Sequence, residues 1–311
     1  MRLIEIAILV NIKGLGSANM LKIINYTQAH KIKTLAELAE VDLTKIVNKK
    51  LAKSISTYLD TDIKNLYKNI QLTLNQYKKD GIECISIADD IYPSILKEST
   101  NPPMILYCKG NVDLLSSKCV ATIGTRKNTL IGEKITTKTV EFLVKNDFTI
   151  VSGLAIGIDE ITHKTTLKQG GNTIAILPII DNIYPASNKK LAQDILNNGG
   201  LLIAEVKPNT PFHSSQLVKR DRIQSGLSKA VFVFESSING GSMYATNDAI
   251  KLNRPVFTPD IYKLPSEYKS LKQLEGIKYL IDTKKSIAYT SDNYEDMKQM
   301  ILKVNQQRSL L

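Results

Sequence analysis

Four stretches of this chain gather small residues, hydroxyls and guanidinium groups in a pattern suited to holding an anion. In the first, Ile123-Gly124-Thr125-Arg126, an apolar run ends on a glycine. Gly124 lets backbone approach a phosphate, Thr125 brings a hydroxyl, and Arg126 brings a fork that can grip a phosphate or a base edge with two bonds. The second, Val151 through Asp159, passes through Ser152 and Gly153 and opens a helix on small residues, and a helix N-terminus attracts negative charge. It is not G-x-G-x-x-G, and no acidic residue ends the next strand at the usual spacing, so dinucleotide binding is discounted. The third, Lys219-Arg220-Asp221-Arg222, sets three cations around one acid. Read as a loop, it is either a positive patch or a solvated charged turn. In the fourth, Phe234 through Ser242, Gly240 and Gly241 make a tight turn and Ser242 caps a helix from Met243. Its amides form a second anion cradle, or the turn is an ordinary capped strand–helix junction.

Other chemistries find less material. Asp159 and His163 stand four apart on one helix face, within mutual reach, but no serine or cysteine motif completes a triad. The three cysteines, Cys84, Cys108 and Cys119, have no C-x-x-C spacing, and the three histidines are scattered. No disulfide framework, metal centre or cofactor is expected, and a reducing compartment fits.

The elements that position these stretches change character along the chain. Residues 1–78 read as helical, with Leu21, Ile24, Leu35, Leu38, Ile55 and Leu59 at roughly helical spacing. Between the first two helices, Gly14-Leu15-Gly16-Ser17 is either a helix-hairpin-helix turn able to hold a phosphate or a plain interhelical turn with Ser17 as N-cap. From Gly81 onward, β-branched runs alternate with amphipathic helices. Strands are expected at 83–87, 104–108, 120–123, 149–151, 173–177, 201–204, 230–234 and 255–257. Helices are expected at 130–146, 157–169, 189–198 and 243–252, with a last one near 293–306. This alternation implies an α/β fold with a parallel, doubly wound sheet, whose strand C-terminal ends share one edge where ligands bind. The expected division is a helical domain (1–78), a Rossmann-like domain (79–290) and a helical tail (291–311).

The chain has 41 Lys+Arg against 30 Asp+Glu, a net charge of +11. That excess favours polyanion partners. A Lys-rich, Trp-free composition is also what an AT-rich genome yields, so charge alone does not decide. No apolar run is long enough to span a membrane, and Glu5 interrupts the apolar N-terminal stretch, so neither a membrane protein nor a signal peptide is expected.

Taken in order, the motifs resemble those of the DNA-processing protein A (DprA/Smf) family. Val120 through Arg126 resembles V-A-I-V-G-[ST]-R, and Val151 through Asp159 with His163 resembles V-S-G-L-A-R-G-I-D…H. Gly170-Gly171-Asn172-Thr173 through Leu177, then Asp181, Tyr184-Pro185 and Asn188, resembles G-G-x-T-I-A-V-L…D…Y-P…N. Arg220-Asp221-Arg222-Ile223 with Gly226-Leu227-Ser228 resembles R-N-R-I…G-L-S, and Gly240-Gly241-Ser242 with Ala245 resembles S-G-S…T-A. The resemblance runs from about residue 82 to 260. It implies an extended Rossmann-like fold with a sterile-alpha-motif-like helical module around Gly14–Gly16. It also implies dimerisation, binding of single-stranded DNA in the cytoplasm, and help in loading the RecA recombinase during natural transformation. Arg126, Lys219, Arg220 and Arg222 would hold phosphates, with amides at Gly124, Thr125, Ser152, Gly153, Gly240, Gly241 and Ser242.

Several positions depart from the family pattern. Ile156 stands where an Arg is usual, Leu217 where a Phe commonly precedes the R-N-R run, and Asp221 where an Asn is usual. Phe212 or Tyr244 could replace the missing stacking platform. Two other readings stay open. One is a nucleotide sensor or nucleotide N-glycosidase-like enzyme with Glu235 as acid. The other is a protein-binding scaffold whose DNA groove has decayed.

Overall fold

A computed structural model describes residues 1–269 and 271–304. The last two residues expected for the C-terminal helix, and the end of the expected tail, lie outside them. Two compact units divide the chain: residues 1–92 with 100–108, and residues 93–99 with 109 onward.

The first unit begins with α1 (Leu3–Leu9), α2 (Ser17–Ala29), α3 (Leu35–Ala39), α4 (Lys49–Leu59) and α5 (Ile63–Lys79). Their apolar stripes bury Ile6, Leu9, Met20, Ile23, Leu38 and Ile55. The α1–α2 turn uses Gly14 at φ +87°, a left-handed backbone that costs glycine little. Gly16, not Ser17, is the N-cap of α2. Glu5 is fully buried yet satisfied: Arg2 reaches it at 2.6 Å and the Tyr67 hydroxyl donates to it at 3.1 Å. The unit continues with β1 (Glu83–Ser86) and most of β2 (Ile105–Gly110). These two pair antiparallel, Glu83 opposite Cys108 and Ser86 opposite Ile105, so the parallel arrangement expected of every strand does not hold for this pair.

The second unit starts at the short α6 (Ser94–Lys97) and carries β3 (Cys119–Ile123), α7 (Leu130–Lys145), β4 (Thr149–Ser152), α8 (Ile158–Lys168), β5 (Thr173–Leu177), α9 (Lys189–Asn197), β6 (Leu201–Ala204), α10 (Ser215–Leu227), β7 (Val231–Val233), α11 (Ser242–Lys251), β8 (Val256–Pro259), α12 (Ser266–Lys269), α13 (Glu275–Asp282), β9 (Ile287–Tyr289) and α14 (Tyr294–Lys303). Its seven strands are parallel in the order β6-β5-β4-β3-β7-β8-β9. Successive residues face opposite ways, as strand geometry requires. Phe232 and Phe234 of the β7 region meet Val140 and Leu143 of α7 and Met297 and Ile301 of α14 on one face. Val231 and Val233 meet Ala245 and Ala249 of α11 and Ile277 of α13 on the other. With both faces covered, the strands read as nearly continuous apolar runs, which made them legible.

Among the described residues, five helices and strands beyond residue 81 were not expected: the short α6 and α12, and α10, α13 and β9. α10 occupies a stretch read as a loop, because its buried face carries Gln216, Arg220, Gln224 and Ser225, polar residues that hide the helical repeat. α13 and the edge strand β9 lie in a Lys- and Tyr-rich stretch to which no elements were assigned before residue 293.

Candidate functional site

The chain winds from β3 outward through β4, β5 and β6, then crosses back to β7 beside β3 and winds out the other way. The loops leaving β3 and β7 therefore diverge, and in such sheets the crevice between diverging loops is where ligands bind. Here it is a cavity of about 460 Å³. Gly124, Thr125 and Arg126 line it from the β3 side, and Gly240, Gly241 and Ser242 from the β7 side. With Arg220, which also lines it, seven of the site residues picked out from the sequence meet in one cleft.

Close backbone packing holds the β3 side. A Cβ on Gly124 would lie 2.5 Å from Ile158, and one on Gly157 would lie 2.5 Å from the Thr125 carbonyl. Both glycines let the loop after β3 cross the start of α8. The Thr125 amide donates to the Glu235 carbonyl (2.8 Å), which ties the loop to the end of β7. The Glu235 carboxylate turns the other way. It accepts the Thr129 amide (2.9 Å) and hydroxyl beneath the start of α7, and Thr129 in turn caps that helix. Burial raises the Glu235 pKa, and the two Thr129 bonds oppose that. Glu235 is therefore a loop anchor and is not among the residues lining the cleft.

On the β7 side, Ser242 is the first residue of α11 and does not cap it; its hydroxyl donates to Ser236 Oγ at 2.8 Å. The Met243 and Tyr244 amides in the first turn of α11 donate to the Gly240 (3.0 Å) and Gly241 (3.1 Å) carbonyls, and Gly241 stands exposed with open space where a Cβ would be. That end of α11 therefore offers an approachable backbone at Gly241 rather than a full set of free helix amides.

The second sequence cradle is closed. Ser152 is fully buried and its hydroxyl donates to the Thr122 carbonyl (2.6 Å). Gly153 is buried beneath Arg220: a Cβ there would sit 1.9 Å from Nη1. Arg220 is itself 7% exposed, with Nη2 donating to the Gly153 carbonyl (3.0 Å) and Nη1 paired with Asp221 (2.8 Å). Neither Ser152 nor Gly153 stands open as expected, and Arg220 lies deep in the cleft wall rather than on a surface patch. The physical reason is α10: a helix places Arg220, Ile223, Gln224 and Leu227 on one inward face. His163 turns to Thr173 Oγ1 (2.7 Å) rather than to Asp159, and burial with the nearby Arg220 pushes its pKa down to about 3, so it is neutral.

This burial sets the charge of the cleft. Asp159 and Asp221 both line it beside Arg220. Burial raises the pKa of each, that of Asp221 to about 6, with Arg220 and Arg126 pulling Asp221 down and Asp159 pushing it up. Arg222 is engaged as well, with Glu205 at 2.5 Å and the Lys219 carbonyl at 2.8 Å. Arg126 and Lys219 remain exposed, as does Lys127, a cleft residue the sequence reading passed over although it directly follows Arg126.

Comparison with known proteins places these features among relatives. Residues 83–301 match the family model for DNA recombination-mediator protein A. The DNA processing protein DprA of Streptococcus pneumoniae is 39% identical over 173 residues, which cover 55% of this chain and 61% of that protein, so the match leaves more than a third of the relative unspanned. The DNA processing protein DprA of Bacillus subtilis is 33% identical over 201 residues, 64% of this chain and 67% of that protein. Among solved structures, that of the Streptococcus pneumoniae protein superposes with a TM-score of 0.76 at 30% identity, covering 94% of this chain and 96% of the other. A structure of the Helicobacter pylori DNA processing protein A, reported for its single-stranded DNA binding mode, superposes with a TM-score of 0.60 at 29% identity, covering 71% of this chain and 96% of the other.

Proposed function

The chain belongs to the DNA recombination-mediator protein A family, and from that premise we propose that it binds single-stranded DNA along the β3/β7 cleft without sequence preference and without catalysis. The observation that carries this reading is the convergence of exposed Arg126 and Lys127 with the exposed Gly241 backbone at the start of α11 in one cleft. Cations beside an approachable backbone suit a phosphodiester chain, which offers negative charge at regular intervals and needs no base-specific donor set. Arg220 serves from behind, fixing the β4–α8 loop. Gly241 supplies close backbone approach, while Gly124, Thr125, Gly240 and Ser242 hold the two loops in place around the cleft.

As a cytoplasmic homodimer, the protein shields incoming single strands and helps place the RecA recombinase on them during natural transformation. The family membership and the Helicobacter pylori likeness support this role. No helix among the described residues is long and apolar enough to cross a membrane.

A mobility-shift series with single- and double-stranded oligonucleotides of equal length tests the binding step. Preference for the single strand is expected, and equal or absent binding contradicts the reading. The loading step is read separately, as the lag before RecA ATPase activity on DNA coated with single-strand-binding protein. The chain is expected to shorten that lag, and an unchanged lag removes the loading role while leaving DNA binding intact.

A further inference from the structure

Beside the cleft, and continuous with it, lies a second, smaller hollow of about 70 Å³ lined by Arg126, Ala155, Ile156, Tyr184, Pro185, Leu217 and Arg220. Arg126, Ala155, Leu217 and Arg220 belong to both. One side of the hollow is aromatic. The Tyr184 ring is stacked on Phe212, with centroids 4.7 Å apart and planes at 22°, and Tyr184 is 40% exposed. Tyr184 is thus backed by a second ring on one side and still partly open to solvent, lining the hollow.

The shelf is rigidly built. Tyr184 sits in the β5–α9 loop and Phe212 in the β6–α10 loop, joined by the stack and by the Asn209 amide donating to Asp181 (2.6 Å). Asn188, buried, donates to the Leu154 carbonyl (3.0 Å) and fixes the β5–α9 loop against the loop that carries Ala155 and Ile156. Gln216 takes the His213 amide (2.9 Å) and donates to the Pro211 carbonyl (3.3 Å), so the residues flanking Phe212 are held by the first turn of α10. A ring held in place in advance stacks on a partner at low entropic cost.

We infer that Tyr184, backed by Phe212, is a base-stacking platform: an unpaired nucleobase lies across the shelf while its own phosphate is held by Arg126 at the shared wall. The inference rests on the single-stranded DNA reading above and assigns its base-contacting element. The hollow is much smaller than the adjoining cleft, so the base lies on it rather than inside it. Apolar Ile156 and Leu217 cover the edges of the base without a hydrogen-bond code, and every base has a π-face, so the platform accepts any sequence. Double-stranded DNA keeps its bases stacked on one another and cannot use it.

The chain contains no tryptophan, so Tyr184→Trp makes a single-tryptophan protein whose emission reports stacking directly. Its fluorescence is expected to be quenched by oligothymidylate and not by an abasic oligonucleotide of the same length. Tyr184→Leu, which keeps apolar bulk but removes the π-face, is expected to weaken oligothymidylate binding about tenfold while leaving abasic binding unchanged. If the wild type binds oligothymidylate but Tyr184→Leu binds it equally well, or Tyr184→Trp is not quenched, the platform is refuted and the binding function stands. An equal loss on both oligonucleotides refutes it too, because the ring then serves the backbone. If the wild type binds no single strand, both the platform and the reading beneath it fall.

Discussion

Two glycine-bearing strand ends, one residue type and one sheet edge, end up with opposite fates. After β3, Gly124 leads to an exposed Arg126 and an open cleft; after β4, Gly153 is sealed by Arg220 of the same chain. A small residue at a strand end marks close approach, but it does not say what approaches. The deciding partner is distant in sequence: α10 delivers Arg220 to Gly153 with the Gly153 carbonyl and Asp221 as its acceptors. Arg126 lies in a loop that projects its side chain to solvent. One arginine therefore supports the site and the other presents to the ligand.

The largest effects should fall on the sealed side. Arg220→Ala removes a buried cation from between two carboxylates and should cost about 4 kcal/mol in denaturant unfolding. A loss under about 1 kcal/mol would mean that Arg220 is no anchor. Gly153→Ala drives a methyl into the guanidinium and should cost about 3 kcal/mol by crowding and by displacing that cation. Gly241→Ala, with a helical backbone and open space, should change stability by less than about 0.5 kcal/mol. Equal costs at Gly153 and Gly241 would erase the difference between a glycine sealed by the chain and one left open on the cleft rim.

Asp221 gives a smaller, pH-dependent effect. Its pKa is raised from 3.8 to about 6, so the folded chain holds this proton more tightly than the unfolded one. Between those values the folded state binds more protons, and the Asp221 contribution to stability falls as pH rises through the window. Ionisation also puts a negative charge into the cleft. Single-strand affinity should drop about fivefold on raising the pH through 6, and Asp221→Asn should abolish that step and bind more tightly at neutral pH. A pH profile unaltered by the substitution would show that Asp221 does not face the ligand.

The same contrast explains what was legible in the sequence. β5 and β6 fall where the apolar runs put them, at 173–177 and 201–204, because buried parallel strands have no polar face to confuse the pattern. The ordered motifs pointed to the family and to Gly124–Arg126 and Gly240–Ser242, which the fold brings together. α10 was hidden because its inward face is polar, and reading Lys219–Arg222 as a loop turned a buried ion pair into a surface patch. The Tyr184–Phe212 stack joins residues 28 positions apart by a contact that only the three-dimensional packing of two loops creates, and no spacing rule reports it. Strand existence is a local property, whereas the exposure of a cation depends on what the rest of the chain brings to it.

The salt dependence of oligothymidylate binding separates the presented arginine from the engaged ones. Each phosphate contact on a single strand contributes about 0.7 to the slope of log affinity against log salt. Arg126→Gln should lower the slope by about that amount with unchanged stability, whereas Arg222→Gln, whose charge is already taken by Glu205, should leave it alone. Slopes unaltered by Arg126→Gln, or lowered equally by both substitutions, would contradict a phosphate grip at the β3 loop.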